Sequence, residues 1–149
     1  MSMRADLTEK IIRLKIERDL SWKQLAEVAG GLSKEFLTAG LLGQMPLPAE
    51  QAQSVGAFLG LDAFEIKLLQ QPPYRGSLPT NVPTDPLIYR FHELISVYGT
   101  TFKALIEEEF GDGIMSAIDF KMDLSREPDP AGDRVAIKMS GKFLSYKKY

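Results

Sequence analysis

The chain has 149 residues, 44% hydrophobic and 26% charged, with a formal net charge of -2, which is the balance of one soluble domain or two small ones and not of a disordered segment. A slightly negative balance argues against a general nucleic-acid binder, because phosphate neutralisation by Lys and Arg supplies most of that affinity. With no cysteine and a single histidine, His92, the chain lacks the material for disulfides, thiolate nucleophiles and a transition-metal site.

At the N-terminus, acidic residues stand where a signal peptide needs an apolar run. No stretch approaches the ~20 apolar residues of a membrane span, so a cytoplasmic protein with no membrane contact is expected. From Leu7 to Gln70 the pattern is one of short helices. Leu7, Ile11 and Leu14 give the first its apolar stripe, and Ser21 with Gln24 forms a capping box that opens a second carrying Trp22, Leu25 and Val28. Gly30 and Gly31 end it. Ser33 caps a third helix, with Leu32 and Leu37 placed as a hydrophobic staple. Pro48 suits the first position of a fourth running through Val55, Phe58 and Leu59, and Asp62 with Glu65 begins a fifth carrying Phe64, Ile66, Leu68 and Leu69. The second and third helices together resemble the helix-turn-helix of repressor-type domains. A recognition helix needs side chains that reach bases and phosphates, yet Ser33 to Gly43 offers only Lys34, so packing is expected there and not DNA binding.

Pro72, Pro73, Pro79, Pro83 and Pro86 with Gly76 mark a semi-rigid connector. Asp85 as cap and Pro86 at the first helical position then open a long helix to about Phe110, closed by Gly111. After Ser116 the period changes to two. Ile118, Phe120, Met122 and Leu124 alternate with polar residues, as do Val135, Ile137 and Met139, giving two strands joined by a loop from Ser125 to Asp133. A two-stranded hairpin is marginal alone, and one helix beside it makes a thin core. Other copies of the chain are therefore expected to complete this region. The fold class expected is α+β: an N-terminal helical domain over 1–71, a connector over 72–85, and a C-terminal helix and hairpin over 86–149 completed by oligomerisation.

Steps of 100° divide the long helix into three faces. Phe91, Leu94, Ile95, Tyr98, Phe102, Leu105 and Ile106 form a core stripe, and His92, Ser96, Lys103 and Glu107 a wet side. Arg90, Glu93, Val97, Thr101 and Ala104 make the third, which suits contact with another chain. Arg90 and Glu93 are three apart and can pair. Glu107-Glu108-Glu109 fans over different faces and is a solvated charge run, not a metal cluster. Gly111-Asp112-Gly113 is too short for a nucleotide loop and reads as a turn that exposes backbone N–H groups to an anion. With the lone histidine on the wet side of a helix, Ser116 is a hydrogen-bonding group and not a covalent nucleophile.

Four motifs in this region carry a family resemblance: Pro83-Thr84-Asp85-Pro86, Tyr89-Arg90-Phe91-x-Glu93, Val97-Tyr98-Gly99-Thr100-Thr101, and Phe110-Gly111-Asp112-Gly113-Ile114-Met115-Ser116-Ala117-Ile118. They closely resemble the C-terminal half of the cyanate hydratases, or cyanases. The resemblance implies a carbon–nitrogen lyase that converts cyanate, with bicarbonate as co-substrate, to carbamate and carbon dioxide, the carbamate then giving ammonia and carbon dioxide. It also implies Arg90, Glu93 and Ser116 as catalytic residues, no cofactor and no metal. The assembly implied is a homodecamer of five dimers with sites at subunit interfaces. Two other readings stay open: a helix-turn-helix DNA-binding regulator with a C-terminal oligomerisation domain, and a non-catalytic assembly module.

Overall fold

Local caps set most of the helix starts in the computed structural model, which describes residues 2–149. The chain divides into two units, one running to Ser77 and the other from Leu78 to Tyr149. In the first unit, α1 (Met3–Glu17) begins where Ser2 Oγ accepts the Ala5 N–H, at 3.1 Å. The capping box opens α2 (Trp22–Ala29): Gln24 N–H donates to Ser21 Oγ at 3.0 Å while Ser21 N–H donates to Gln24 Oε1 at 2.7 Å. Gly30, at φ 66°, ends that helix in a conformation that favours glycine. Ser33 caps α3 (Lys34–Leu41) through the Phe36 N–H, and a second capping box, of Asp62 and Glu65, opens α5 (Ala63–Leu69).

One expected start shifts by a residue. Pro48 is extended, at φ -59° and ψ 153°, and α4 (Ala49–Leu59) begins after it. Pro48 supplies the first helical carbonyl to Ala52 N–H, and lacking an N–H it serves as well outside the helix as in its first turn.

The five helices enclose one hydrophobic core, with Ile11, Leu25, Leu37, Leu41, Val55 and Leu69 fully buried. A Cβ on Gly56 would stand 2.5 Å from Ile66 Cγ1, so glycine is what lets α4 and α5 approach. Lys10 Nζ and Glu65 Oε1, 2.6 Å apart, tie α1 to α5. Arg4 Nη2 donates to Gly40 O at 2.5 Å, closing the C-terminal end of α3, and burial pushes the Arg4 pKa down. Phe58 and Phe64, among the apolar residues of α4 and α5, lie outside the core, and the Arg18 guanidinium covers the Phe58 ring at 4.8 Å. Lys34, the one cation of α3, is held by Glu35 at 2.6 Å.

The second unit has a different character. Asp85 Oδ1 accepts the N–H groups of Leu87 and Ile88, and α6 (Pro86–Phe110) follows with Pro86 in its first turn. Gly111, at φ 93°, ends it. Then β1 (Gly113–Glu127) pairs antiparallel with β2 (Arg134–Ser145), with Met122 opposite Met139. Both strands are longer than the alternation indicates, and the turn between them is tied by Arg126 and Asp133 at 2.9 Å.

The expected core stripe of α6 is uncovered in the single chain. No residue of α6 is buried, and in the whole second unit only Pro83 and Ser116 are. Its helical period is right but its burial is not, because one helix and one hairpin present nothing wide enough to cover the stripe. No described helix is long and apolar enough to cross a membrane.

Candidate active site

Arg90 and Glu93 sit in the N-terminal half of α6, one turn apart on the face they share with Val97 and Thr101. The expected pair between them does not form within the chain. Arg90 instead stands against the Tyr89 ring at 5.8 Å, and among the described residues neither Arg90 nor Glu93 makes an ion pair or side-chain hydrogen bond. Both functional groups are thus left with their full capacity to bind. On the wet side, Lys103 does pair with Glu107, whose hydrogen bond and charge raise the Lys103 pKa.

Ser116 lies in a local break of the sheet. Met115 pairs with Phe143 and Phe120 with Gly141, so Ser116, Ala117, Ile118 and Asp119 stand against Lys142 alone, as a bulge of three extra residues in β1. Ile118, one of the expected alternating residues, is thrown outward there and is 98% exposed. Ser116 is 6% exposed, and its Oγ accepts the N–H of Ile118 at 3.0 Å and of Asp119 at 2.9 Å. A hydroxyl oxygen has two acceptor positions and one donor. Both acceptor positions are filled by the bulge, so what Ser116 has left to offer is a hydrogen-bond donor, the polarity that suits an anion. His92 lies beside Tyr89, 5.7 Å between ring centroids, in the other half of α6, and leaves Ser116 without an imidazole base.

The chain holds Arg90 and Ser116 apart. Phe110, the last residue of α6, packs its ring on Phe143 at 5.2 Å, and Phe143 is the cross-strand partner of Met115. Ser116 is therefore at the C-terminal end of the helix. At 1.5 Å per residue, the stretch from Arg90 to Phe110 spans about 30 Å. The turn before β1 is fixed from both sides, since Gly111 N–H donates to Glu107 O and Tyr146 N–H to Asp112 O.

Two features of this end were missed by the residue patterns. The bulge leaves no mark in an alternation of apolar and polar residues, whereas Gly141 inside a strand is a recognisable sign of a bulge or of close backbone approach. Among the described residues, no group of three or more His, Cys, Asp or Glu is placed to hold a metal.

Comparison with known proteins matches both units. Residues 4–73 fit the family model described as cyanate hydratase, N-terminal, and residues 80–148 that described as cyanate lyase C-terminal domain. The chain is 69% identical to a cyanate hydratase of Ralstonia pickettii, and 65% identical to one of Methylibium petroleiphilum, each over 98% of this chain and 99% of the other. A crystal structure of cyanase from T. urticae superposes with a TM-score of 0.80 at 39% identity, covering 93% of this chain and 96% of that one.

Proposed function

The chain belongs to the cyanate hydratase family, enzymes of the lyase type, and from that membership we propose that it decomposes cyanate in a bicarbonate-dependent reaction, at sites built between subunits from Arg90, Glu93 and Ser116. The observation that carries the shared-site part of this reading is the separation of the free Arg90 and Glu93 from the donor of Ser116. A helix about 30 Å long between them cannot bend round a three-atom substrate. A second chain, laid against the uncovered stripe of α6, can bring its own Ser116 to the first chain's Arg90.

Both substrates are monoanions, and their mutual repulsion is the first obstacle. Arg90 counters it with a planar, cationic set of donors. A bicarbonate oxygen attacks the cyanate carbon, forming a C–O bond and moving a C–N electron pair onto nitrogen. The adduct takes up a proton at nitrogen; the bond between the former bicarbonate carbon and the bridging oxygen then breaks, releasing carbon dioxide as the bicarbonate hydroxyl proton passes to nitrogen, and carbamate is left. Carbamate takes up a second proton and splits into ammonia and carbon dioxide. Charge that builds on oxygen and nitrogen during attack meets the Arg90 guanidinium and the Ser116 hydroxyl, the latter already held by its two N–H partners. Glu93 orients Arg90 once the two are enclosed, and its carboxyl is of the type that can pass the nitrogen proton.

Substrate size favours an enclosed site over one exposed arginine. At a ceiling of about 1.5 kcal/mol per heavy atom, cyanate gains at most ~4.5 kcal/mol, a millimolar to sub-millimolar affinity. Donors from neighbouring chains, with water excluded, approach that ceiling. We assign no cofactor beyond bicarbonate as co-substrate, no nucleic-acid partner and a cytoplasmic location, and we take the assembly to be a decamer of five dimers. The test is ammonia release from cyanate by the purified chain with and without bicarbonate. Release that requires bicarbonate is expected, and its absence in assembled protein overturns the reading.

A further inference from the structure

Glycine weakens a strand interior, and Gly141 lies well inside β2. Its backbone does not ask for glycine, since it is not among the residues of positive φ. What asks for it is space. A Cβ on Gly141 would run into the carbonyl oxygen of Ser116 and stand 2.6 Å from Met115 Cγ and 3.3 Å from the Ser116 carbonyl carbon. Two of these three atoms belong to the backbone of Ser116 itself, which cannot swing aside as a side-chain tip can. The same residue's Oγ is fixed by the Ile118 and Asp119 N–H groups. The bulge is thus clamped between its own turn and the bare face of Gly141, and moving the Ser116 carbonyl moves the hydroxyl with it.

We propose that Gly141 is a positioning residue for Ser116: its missing side chain lets β2 press on the Ser116 carbonyl and sets where the Ser116 donor points. The proposal rests on the assignment of Ser116 to the site. Gly141 touches no substrate and acts only through the serine. A displacement of roughly 1 Å in a group that meets the reacting atoms can cost on the order of 100-fold in rate.

The experiment compares four full-length proteins, each confirmed as assembled by light scattering: wild type, Gly141→Ala, Ser116→Ala and the double variant. Bicarbonate-dependent ammonia release gives kcat/KM for cyanate in each. Gly141→Ala is expected to lose at least about tenfold relative to wild type. In the Ser116→Ala background the same change is expected to cost less than about twofold, because the residue it acts through is gone. A simple structural role would multiply through both backgrounds equally, and that result overturns the proposal. So does a wild-type rate for Gly141→Ala beside an impaired Ser116→Ala, which leaves the site assignment standing. A wild-type rate for Ser116→Ala instead removes the site assignment and the proposal together. If Gly141→Ala does not assemble, Met115→Ala is added throughout, taking away one of the atoms that the new methyl group meets, and the same comparison decides.

Discussion

Arg90, Glu93 and Ser116 are held in two different ways, and the difference bears on what each can do. Ser116 is locked, buried and accepting two backbone N–H groups, while Arg90 and Glu93 stand on an open helix face with no polar partner in their own chain. A locked donor suits a developing charge, whereas a free guanidinium takes its final geometry from whatever encloses it. The planar fork of Arg90 matters more than its charge, because it can present parallel donors to a planar anion. Arg90→Lys is therefore expected to lower kcat by on the order of 100-fold, as removal of a preorganised donor does elsewhere, while the assembled mass stays the same. Steady-state ammonia release checks the rate and light scattering the mass. A turnover within a few-fold of wild type contradicts the role. The shared face of Arg90 and Glu93 could be read from their spacing alone. The setting of Ser116 could not, because it depends on a cross-strand register in which Lys142 alone stands opposite a stretch of β1.

At the scale of elements, the caps were legible and the burial of aromatic residues was not. Ser21, Ser33 and Asp62 announce their helices through side chains that bond within three residues, so no distant contact is needed to read them. Phe58 and Phe64 fit helical stripes yet lie outside, since which edge of a stripe is covered depends on the neighbouring helix. The strands extend past the alternating residues because hydrogen bonding carries on beyond the bulge to Gly113 and Ser145. In the first unit, Leu37 is fully buried in the core shared by the helices. Leu37→Ala should destabilise that unit by about 2–5 kcal/mol, the usual cost of a large-to-small change at such a site. Urea unfolding followed by the fluorescence of Trp22, the chain's one tryptophan, which packs against that core, reads this directly. A midpoint unchanged from wild type contradicts the placement of Leu37.

For the molecule as a whole, the two units pose opposite problems. The first encloses a hydrophobic core of its own, whereas the second leaves Phe91, Phe102, Leu105 and their neighbours on α6 uncovered. On the function proposed for this chain, an uncovered stripe that long, on a helix that also carries Arg90 and Glu93, ties assembly to chemistry. The need for partners could be inferred from the thinness of one helix and one hairpin, but which residues meet across the contact could not, because no single chain contains that contact. The central claim, that one site takes Arg90 from one chain and Ser116 from another, has a direct test. Arg90→Lys and Ser116→Ala chains, each impaired alone, are co-expressed so that they assemble together, and bicarbonate-dependent ammonia release from cyanate is measured. Mixed assemblies contain sites in which an intact Arg90 meets an intact Ser116, so activity well above that of either variant alone is the predicted result. Mixed assemblies no more active than the two separate variants would contradict the shared site.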